Sequence, residues 1–262
     1  MKALVLDSLD EMLHGKSIYL TSIITAIMAL IVLFFSSMEI RINMRNFTIG
    51  DITNLIGNPL LYSICLFTSL LIALTVIATA GHFPSILQKS SVEFYFSKPL
   101  SKQQLILGKT AGIIFSYGGY ILLAALLIIS IAFIKFNFFE WRALYILLFP
   151  ILSLFIWLSI TVFIGVIFRS AVFSIMTVFI TWLLQYFLSW FYSMEHEFGP
   201  SIFKETLKIL YYILPKTSET SGIFFDLVLN KPIENWFPLY SSLLFALALF
   251  YLSILILKSK DY

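Results

Sequence analysis

Six long apolar runs without Asp, Glu, Lys or Arg constrain this chain more than any other feature of its sequence. They occupy approximately residues 17–37, 60–80, 111–134, 143–168, 171–192 and 237–257. A membrane-crossing helix needs about 20 apolar residues, and a helix satisfies its backbone hydrogen bonds internally, as hydrocarbon requires. We therefore expect an all-α polytopic membrane protein with six transmembrane helices, forming one membrane domain over residues 1–262.

The composition narrows the class of protein further. Hydrophobic residues make up 60% and charged residues 12% of the chain, against about 45–50% and 25% in soluble domains. A disordered chain is excluded, and a soluble globular enzyme is strongly disfavoured. Six spans leave short loops in 262 residues and no room for a nucleotide-hydrolysing domain. The net charge of +3 does not indicate a nucleic-acid partner.

The segment before the first apolar run predicts an amphipathic helix over residues 1–16. Asp7, Asp10, Glu11 and His14 are spaced to share one helical face, and leucines occupy the other side. Such a helix can lie in the membrane interface; a soluble amphipathic cap is the alternative. The following apolar run is too long for the core of a secretory signal peptide.

The distribution of charge predicts the orientation of the chain. If the N-terminus is cytoplasmic, the inner segments carry nine Lys or Arg against five Asp or Glu, and the outer segments eight against nine. Basic residues concentrate on the cytoplasmic side, so we expect both termini in the cytoplasm. Residues 81–110 then form a cytoplasmic segment, and 193–236 an extracytoplasmic loop. Within that loop, 202–214 predicts a helix on the outer membrane surface or on the other spans, ended by Pro215.

The runs lack the side chains that several functions require. Proton- and sodium-coupled carriers generally bind their ion through ionisable groups inside the membrane, and Gln185 is the most polar side chain in any run. His196-Glu197 begins a zinc-protease motif that Pro200 breaks. Gly108-Lys109-Thr110 resembles the end of a phosphate-binding loop, but Gln103 replaces its first glycine. We therefore expect no catalytic, metal or cofactor site in this chain.

The fifth run carries a line of polar side chains. Their spacing of three or four residues keeps them on one helical face: they are Ser174, Thr177, Thr181, Gln185 and Ser189. Small hydroxyl residues commonly form a close helix–helix seam. The alternative interpretation is a translocation wall or a dimer face.

The cytoplasmic segment between the second and third runs contains a proline-marked break. Pro99 disfavours helix at Lys98, and Ser101 can cap a new helix that continues into the third run. A short helix, a break and a basic helix can dock into a groove on a soluble partner, with Phe94 and Phe96 as anchors. Lysine contacts with lipid headgroups are the alternative. The predicted docking residues are Val92, Glu93, Phe94, Phe96, Lys98, Pro99, Ser101 and Lys102.

This segment resembles the ABC-2 family of transporter permeases. Members commonly carry S-[KR]-P-[VL]-S-[KR]-x-x, two hydrophobic residues and x-G-K between spans two and three, and residues 97–109 match that pattern. The Lys-Ser-Lys-Asp-Tyr ending at 258–262 is similar to the family's tail. The family's upstream acidic Gly-Thr stretch is not retained: Gln88, Lys89, Ser90 and Ser91 precede Glu93.

The resemblance implies a function and a set of partners. Such permeases pair as homo- or heterodimers in the cell (inner) membrane, and each pair binds two copies of a cytosolic ATP-binding subunit. ATP and Mg belong to that partner, and the coupling helix after span two transmits its motion. We thus expect a non-enzymatic permease of an exporter, embedded in membrane lipid. The alternative is a non-transporting membrane assembly or scaffold protein.

Overall fold

The computed structural model describes a protein built from helices, with no strand among the residues described. These are 9–10, 14–37, 67–86, 101–136, 144–145, 147–194, 202–228 and 230–259. The all-α prediction is confirmed for them. Most of the predicted N-terminal helix and the predicted docking residues Val92 to Pro99 lie outside the described ranges. Within residues 9–14, the side chains of Asp10 and His14 form an i,i+4 contact of 3.1 Å.

The helices are numbered in chain order. They are α1 Lys16–Ser37, α2 67–79, α3 His82–Ile86, α4 Lys102–Ile113, α5 Gly119–Phe136, α6 Leu148–Phe168, α7 Ala171–Ser193, α8 Ile202–Ile213, α9 Thr217–Val228 and α10 Phe237–Ser259. A π-helical turn, Ile114–Gly118, joins α4 directly to α5.

Five helical stretches are long and apolar enough to cross a membrane. They are Phe67–Ser85, Gln103–Ile131, Leu148–Phe168, Ala171–Ser193 and Phe237–Ser259. They correspond to the second to sixth predicted spans, so the chain has the character of a multi-pass membrane protein. The first predicted span coincides with α1, a helix of 22 residues, of which Ile18–Ile31 is the apolar part identified. A sixth crossing stays a prediction.

The bundle is centred on α6. In the most apolar 18-residue stretch of α6, 61% of the residues are buried, against 22% in the corresponding stretch of α7 and 17% in that of α10. Leu154, Leu158 and Val162 of α6 are completely covered by neighbouring helices. The helices α7 and α10 pack on α6 from outside and expose apolar side chains, which suits surfaces that meet lipid.

The turn between α6 and α7 is as tight as its two-residue length predicts. Arg169 adopts the left-handed conformation, with φ 52° and ψ 33°, and its N–H donates to Gly165 O at 3.0 Å. Ser170 is extended and precedes α7. The chain therefore reverses within two residues, and α7 returns antiparallel to α6.

One end of the bundle carries the ends of α3, α4, α6 and α10, and we call it the basic end. It comprises the described residues 80–86, 101–109, 165–171 and 257–259. The Cα of Gly165 faces Phe83 and Pro84, and that of Gly81 faces Ala171, so closely that a Cβ added there would meet these neighbours within 4 Å. The described part of this end carries Lys, Arg and His but no Asp or Glu.

The opposite end carries a helical hairpin made of α8 and α9. The predicted helix over 202–214 is confirmed as α8, and it ends before Pro215. The following helix, α9, was not predicted. The hairpin turn meets α7 at Gln185, eight residues and therefore about 12 Å below the last residue of α7. The helix α8 packs on α7 through Leu207 and Tyr211, as one of its two predicted placements requires; its placement on the outer membrane surface stays a prediction.

Candidate functional site

The predicted docking segment is held by the bundle at both of its ends. On the N-terminal side, α3 packs against α6 and α7. On the C-terminal side, Ser101 begins α4 with a reciprocal capping box: Gln104 N–H donates to Ser101 Oγ at 3.2 Å, and Ser101 N–H donates to Gln104 Oε1 at 3.1 Å. The predicted cap at Ser101 is confirmed. Lys102 is the first residue of α4.

The helix that starts at Ser101 enters the bundle earlier than the sequence indicated. The third span was predicted to begin at residue 111, but Leu105 and Ile106 of α4 are already buried. Lys109, predicted as part of a cytoplasmic basic segment, is only 1% exposed. A long lysine can be covered by neighbouring helices because its methylene stem is apolar.

The polar line of α7 faces the interior of the protein along most of its length. Ser174 is completely buried, and its Oγ lies 3.5 Å from Thr161 O of α6. Thr177 and Thr181 donate to carbonyl oxygens one turn earlier in α7, each at 2.8 Å. Near Ser174 the line therefore forms a seam with α6, as small hydroxyl residues commonly do.

Toward the C-terminal end of α7, the same line contacts the hairpin. Gln185, only 4% exposed, accepts at Oε1 from Thr217 N–H at 3.0 Å and from Thr217 Oγ1 at 2.8 Å. The backbone N–H can only donate, which fixes the orientation of the amide. The first free N–H of α9 is thereby satisfied by a side chain of α7. The amide nitrogen of Gln185 has no acceptor within the described ranges.

Glu219 connects three helices. It accepts from Ser189 Oγ of α7 at 2.7 Å and from Tyr211 Oη of α8 at 2.8 Å. Its place in the first turn of α9 also suits the positive end of that helix. Burial, and then the hydrogen bond to Glu219, raise the pKa of Tyr211 above its usual range.

Lys216 occupies the hairpin turn and is only 3% exposed. Its backbone N–H donates to Ser242 Oγ of α10 at 2.8 Å, and its Nζ donates to Leu214 O at 3.2 Å and Ser241 Oγ at 3.3 Å. The ammonium also lies over the rings of Tyr211 and Phe237, 4.6 and 4.8 Å from their centroids. Burial lowers the pKa of Lys216 to about 8, against the opposing attraction of Glu219.

Together these side chains form what we call the polar cluster, which joins α7, α8, α9 and α10. Its members are Gln185, Ser189, Tyr211, Lys216, Thr217, Glu219, Ser241 and Ser242. The sequence indicated only the two residues of α7. Pro215 followed by Thr217, Ser218 and Glu219 is a helix-start signal that could have revealed α9.

The other face of α7 is apolar and rich in aromatic residues. Exposed side chains there are Phe173, Met176, Phe179, Ile180, Trp182, Leu183, Tyr186, Phe187 and Trp190. Trp182 packs edge-on against Tyr186, with ring centroids 5.3 Å apart. The surface that α7 offers to lipid or to a second protomer is therefore this apolar face.

Among the described residues, no three His, Cys, Asp or Glu side chains lie close enough together to hold a metal ion. No protein-family model matches the chain, and neither curated proteins nor solved structures show significant similarity to it.

Proposed function

We propose that this chain is the transmembrane permease subunit of an ABC-2 type transporter that works as an exporter. A separate cytosolic ATPase docks on residues 81–109 and supplies the energy. The observation that carries the proposal is the helix start at Ser101. Two residues after Pro99 in the sequence, a capped helix starts and runs without interruption from the basic end into a span.

The continuity of that helix supports a mechanical role. A force applied to the segment before Ser101 acts on the first turn of α4, and the helix extends through α5 to Phe136. On the other side of the segment, α3 packs on α6. Packed helices transmit strain because protein interiors are close-packed. Movement of a docked partner would thus be transmitted to two elements of the bundle, α3 and α4.

Charge supports the orientation on which the proposal depends. The basic end carries His82, Lys109, Arg169 and Lys258 without a described carboxylate, whereas the hairpin end carries both signs. Positive charge favours the cytoplasmic side, where ATP is available. With α10 ending at Ser259 in the basic end, both termini are cytoplasmic in this proposal.

The proposal specifies an assembly in the cell (inner) membrane. Two permease protomers, as a homo- or heterodimer, bind two ATP-binding subunits, and ATP and Mg reside in those partners. A ligand shifts a conformational equilibrium only through its different affinity for the two states. We expect ATP to act on this chain through the docked surface, because the phosphate-binding-loop motif that ends at Thr110 lacks its first glycine.

Co-purification tests the proposal. The chain is extracted from its native membrane in mild detergent, and bound subunits are assayed for ATP hydrolysis. We expect an ATP-hydrolysing subunit with the natural chain and its loss with the double variant Glu93→Ala, Phe94→Ala. The matched control, Glu205→Ala with Phe203→Ala, removes an exposed acid and an exposed aromatic from α8 at the opposite end.

Two results would contradict the proposal. Retention of the ATPase by the Glu93, Phe94 variant would show that it docks elsewhere. Isolation of the intact chain without any ATP-hydrolysing companion would favour the non-transporting assembly or scaffold protein instead.

A further inference from the structure

We propose that the turn between α6 and α7 binds the headgroup phosphate of an anionic phospholipid. Arg169 holds the phosphate, and the exposed rings of Phe168 and Phe173 contact the acyl chains of the same lipid. We call these three residues the turn surface. The lipid belongs to the leaflet that borders the basic end, and its binding does not depend on the proposed permease function.

The lengths of the two spans place the turn surface at the edge of the hydrocarbon. The helix α6 has 21 residues and no charged side chain, so it is about 31 Å long, close to the hydrocarbon thickness of about 30 Å. It ends at Phe168, and α7 begins at Ala171. Because only Arg169 and Ser170 connect the two helices, no loop can carry Arg169 far from the plane in which lipid phosphates lie.

Arg169 combines an unusual backbone conformation with exposure to the surroundings. Its φ of 52° and ψ of 33° are left-handed, a conformation that glycine adopts at lower cost than a residue with a Cβ. An arginine at such a position, exposed as it is, indicates a role for its side chain. The guanidinium carries five N–H donors in a planar fork, so it can bind a phosphate through two parallel hydrogen bonds in addition to contacts within the protein.

The two rings beside Arg169 provide the apolar half of the surface. Phe168 and Phe173 stack on each other, with ring centroids 5.2 Å apart and planes inclined by 20°. They remain 53% and 54% exposed. One ring ends α6 and the other lies in the first turn of α7, so the apolar pair flanks the guanidinium on both sides of the turn. A phospholipid has the matching arrangement, with a charged phosphate next to apolar chains.

The charge of the basic end favours an anionic lipid over a zwitterionic one. Its described residues include His82 and Lys258 besides Arg169, and none of them is Asp or Glu. Lys258 is exposed in the last turn of α10. One basic residue near a membrane surface strengthens binding to anionic lipid by about fivefold, whereas a choline headgroup would bring its own positive charge to this patch. Free phosphate has the same charge but lacks the chains that the rings contact, so we assign the turn surface to lipid.

Photochemical labelling tests this assignment on the full chain. The protein is reconstituted in phosphatidylcholine vesicles with a trace of a diazirine-bearing probe, either phosphatidylglycerol or phosphatidylcholine, and labelled peptides are identified by mass spectrometry. We expect the phosphatidylglycerol probe to label residues 168–173 at least about fivefold more strongly. Added sodium chloride should reduce this preference, because it screens exposed charges. Inorganic phosphate at the same ionic strength should have no further effect.

Four variants separate the headgroup contact from the chain contact. Arg169→Asn removes the charge and tolerates the left-handed conformation, so the ratio of labelling by the two probes should fall about fivefold. Arg169→Lys keeps a charge without the planar fork and should retain part of the preference. Phe173→Ala should lower labelling by both probes without changing their ratio. Lys231→Gln removes an exposed lysine beside the hairpin, at the opposite end, and as the matched control should keep the natural ratio.

Three results would overturn the assignment. They are equal labelling of the natural chain by the two probes, an undiminished preference in Arg169→Asn, and loss of the preference in inorganic phosphate beyond the effect of chloride, which would assign the site to a free anion. The first and the third are measured on the natural chain and therefore do not require that a variant folds. None of the three bears on the docking of an ATPase at residues 81–109.

Discussion

At the scale of single residues, Ser101 determines where the long helix leading into the third span begins. The residue before a helix must supply a hydrogen-bond acceptor for the first N–H groups of that helix, and Ser101 Oγ does so for Gln104. The reciprocal bond from Ser101 N–H to the Gln104 side chain completes the box. The start of α4 is therefore set by two local side chains, which explains why the sequence alone could locate it.

Replacement of that cap should loosen the first turn of α4. We expect Ser101→Ala to destabilise the helix start by about 1 kcal/mol, measured as faster amide exchange at residues 102–105. Ser101→Asp keeps a capping oxygen and should restore the natural exchange rate. Equal exchange in the Ala and Asp variants would show that tertiary contacts, and not the cap, hold this turn.

Two glycines in different surroundings offer a matched pair of substitutions. A Cβ on Gly165 would lie 3.2 Å from Phe83 Cβ and 3.3 Å from Pro84 Cδ, whereas one on Gly222 of α9 would meet nothing within 4 Å. Gly165→Ala should cost about 1–3 kcal/mol by forcing α3 away from α6. Gly222→Ala should gain about 0.5–1 kcal/mol from helix propensity.

Thermal unfolding of the two variants in the same detergent distinguishes these effects. The Gly165 variant should melt below the natural chain and the Gly222 variant above it. A Gly165 variant of unchanged stability would mean that α3 is not packed on α6.

At the scale of elements, α7 combines two unlike faces. Its polar line forms a seam with α6 near Ser174 and an anchor for the hairpin near Gln185, while its aromatic face points outward. The sequence predicted that these residues share a face, because helical spacing is a local property. It could not show what covers that face. The partner, Thr217, is 32 residues further along the chain and belongs to a helix with no apolar run of its own.

The hairpin should depend on Gln185 more than on its neighbours in the polar line. Gln185→Ala leaves the Thr217 N–H buried without its acceptor, at a cost of about 1–3 kcal/mol. Residues 211–220 should then become more sensitive to limited proteolysis and amide exchange. Thr177→Ala is the control, since its hydroxyl bonds only within α7 in the described contacts. Equal effects of the two substitutions would contradict the anchoring role of Gln185.

At the scale of the whole molecule, the sequence predictions agree best with the structure where the sequence is most apolar. Runs of about 20 apolar residues must be helical in a membrane, so the second to sixth spans appear where they were predicted. The observed helix boundaries differ from the predicted ones where charged or polar residues are covered by other helices. Lys109 was assigned to the cytoplasmic segment before the third span because a lysine normally lies in water, yet in α4 its side chain is buried. The helix α9 was missed because polar residues occupy much of its first half.

The two ends of the molecule differ in charge, and this difference predicts which side of the membrane each faces. Ser85, in the basic end, and Glu234, beside the hairpin, are both exposed and can each be replaced by a single cysteine. Cys65→Ala first removes the one natural cysteine of the chain. A membrane-impermeant maleimide should label the Glu234→Cys protein in intact cells and the Ser85→Cys protein only after permeabilisation. The reason is the excess of Lys and Arg over acids at the basic end, which retains that end in the cytoplasm during insertion. Labelling in the reverse order would place the Ser101 helix start outside the cell, where no ATP-driven subunit could act on it.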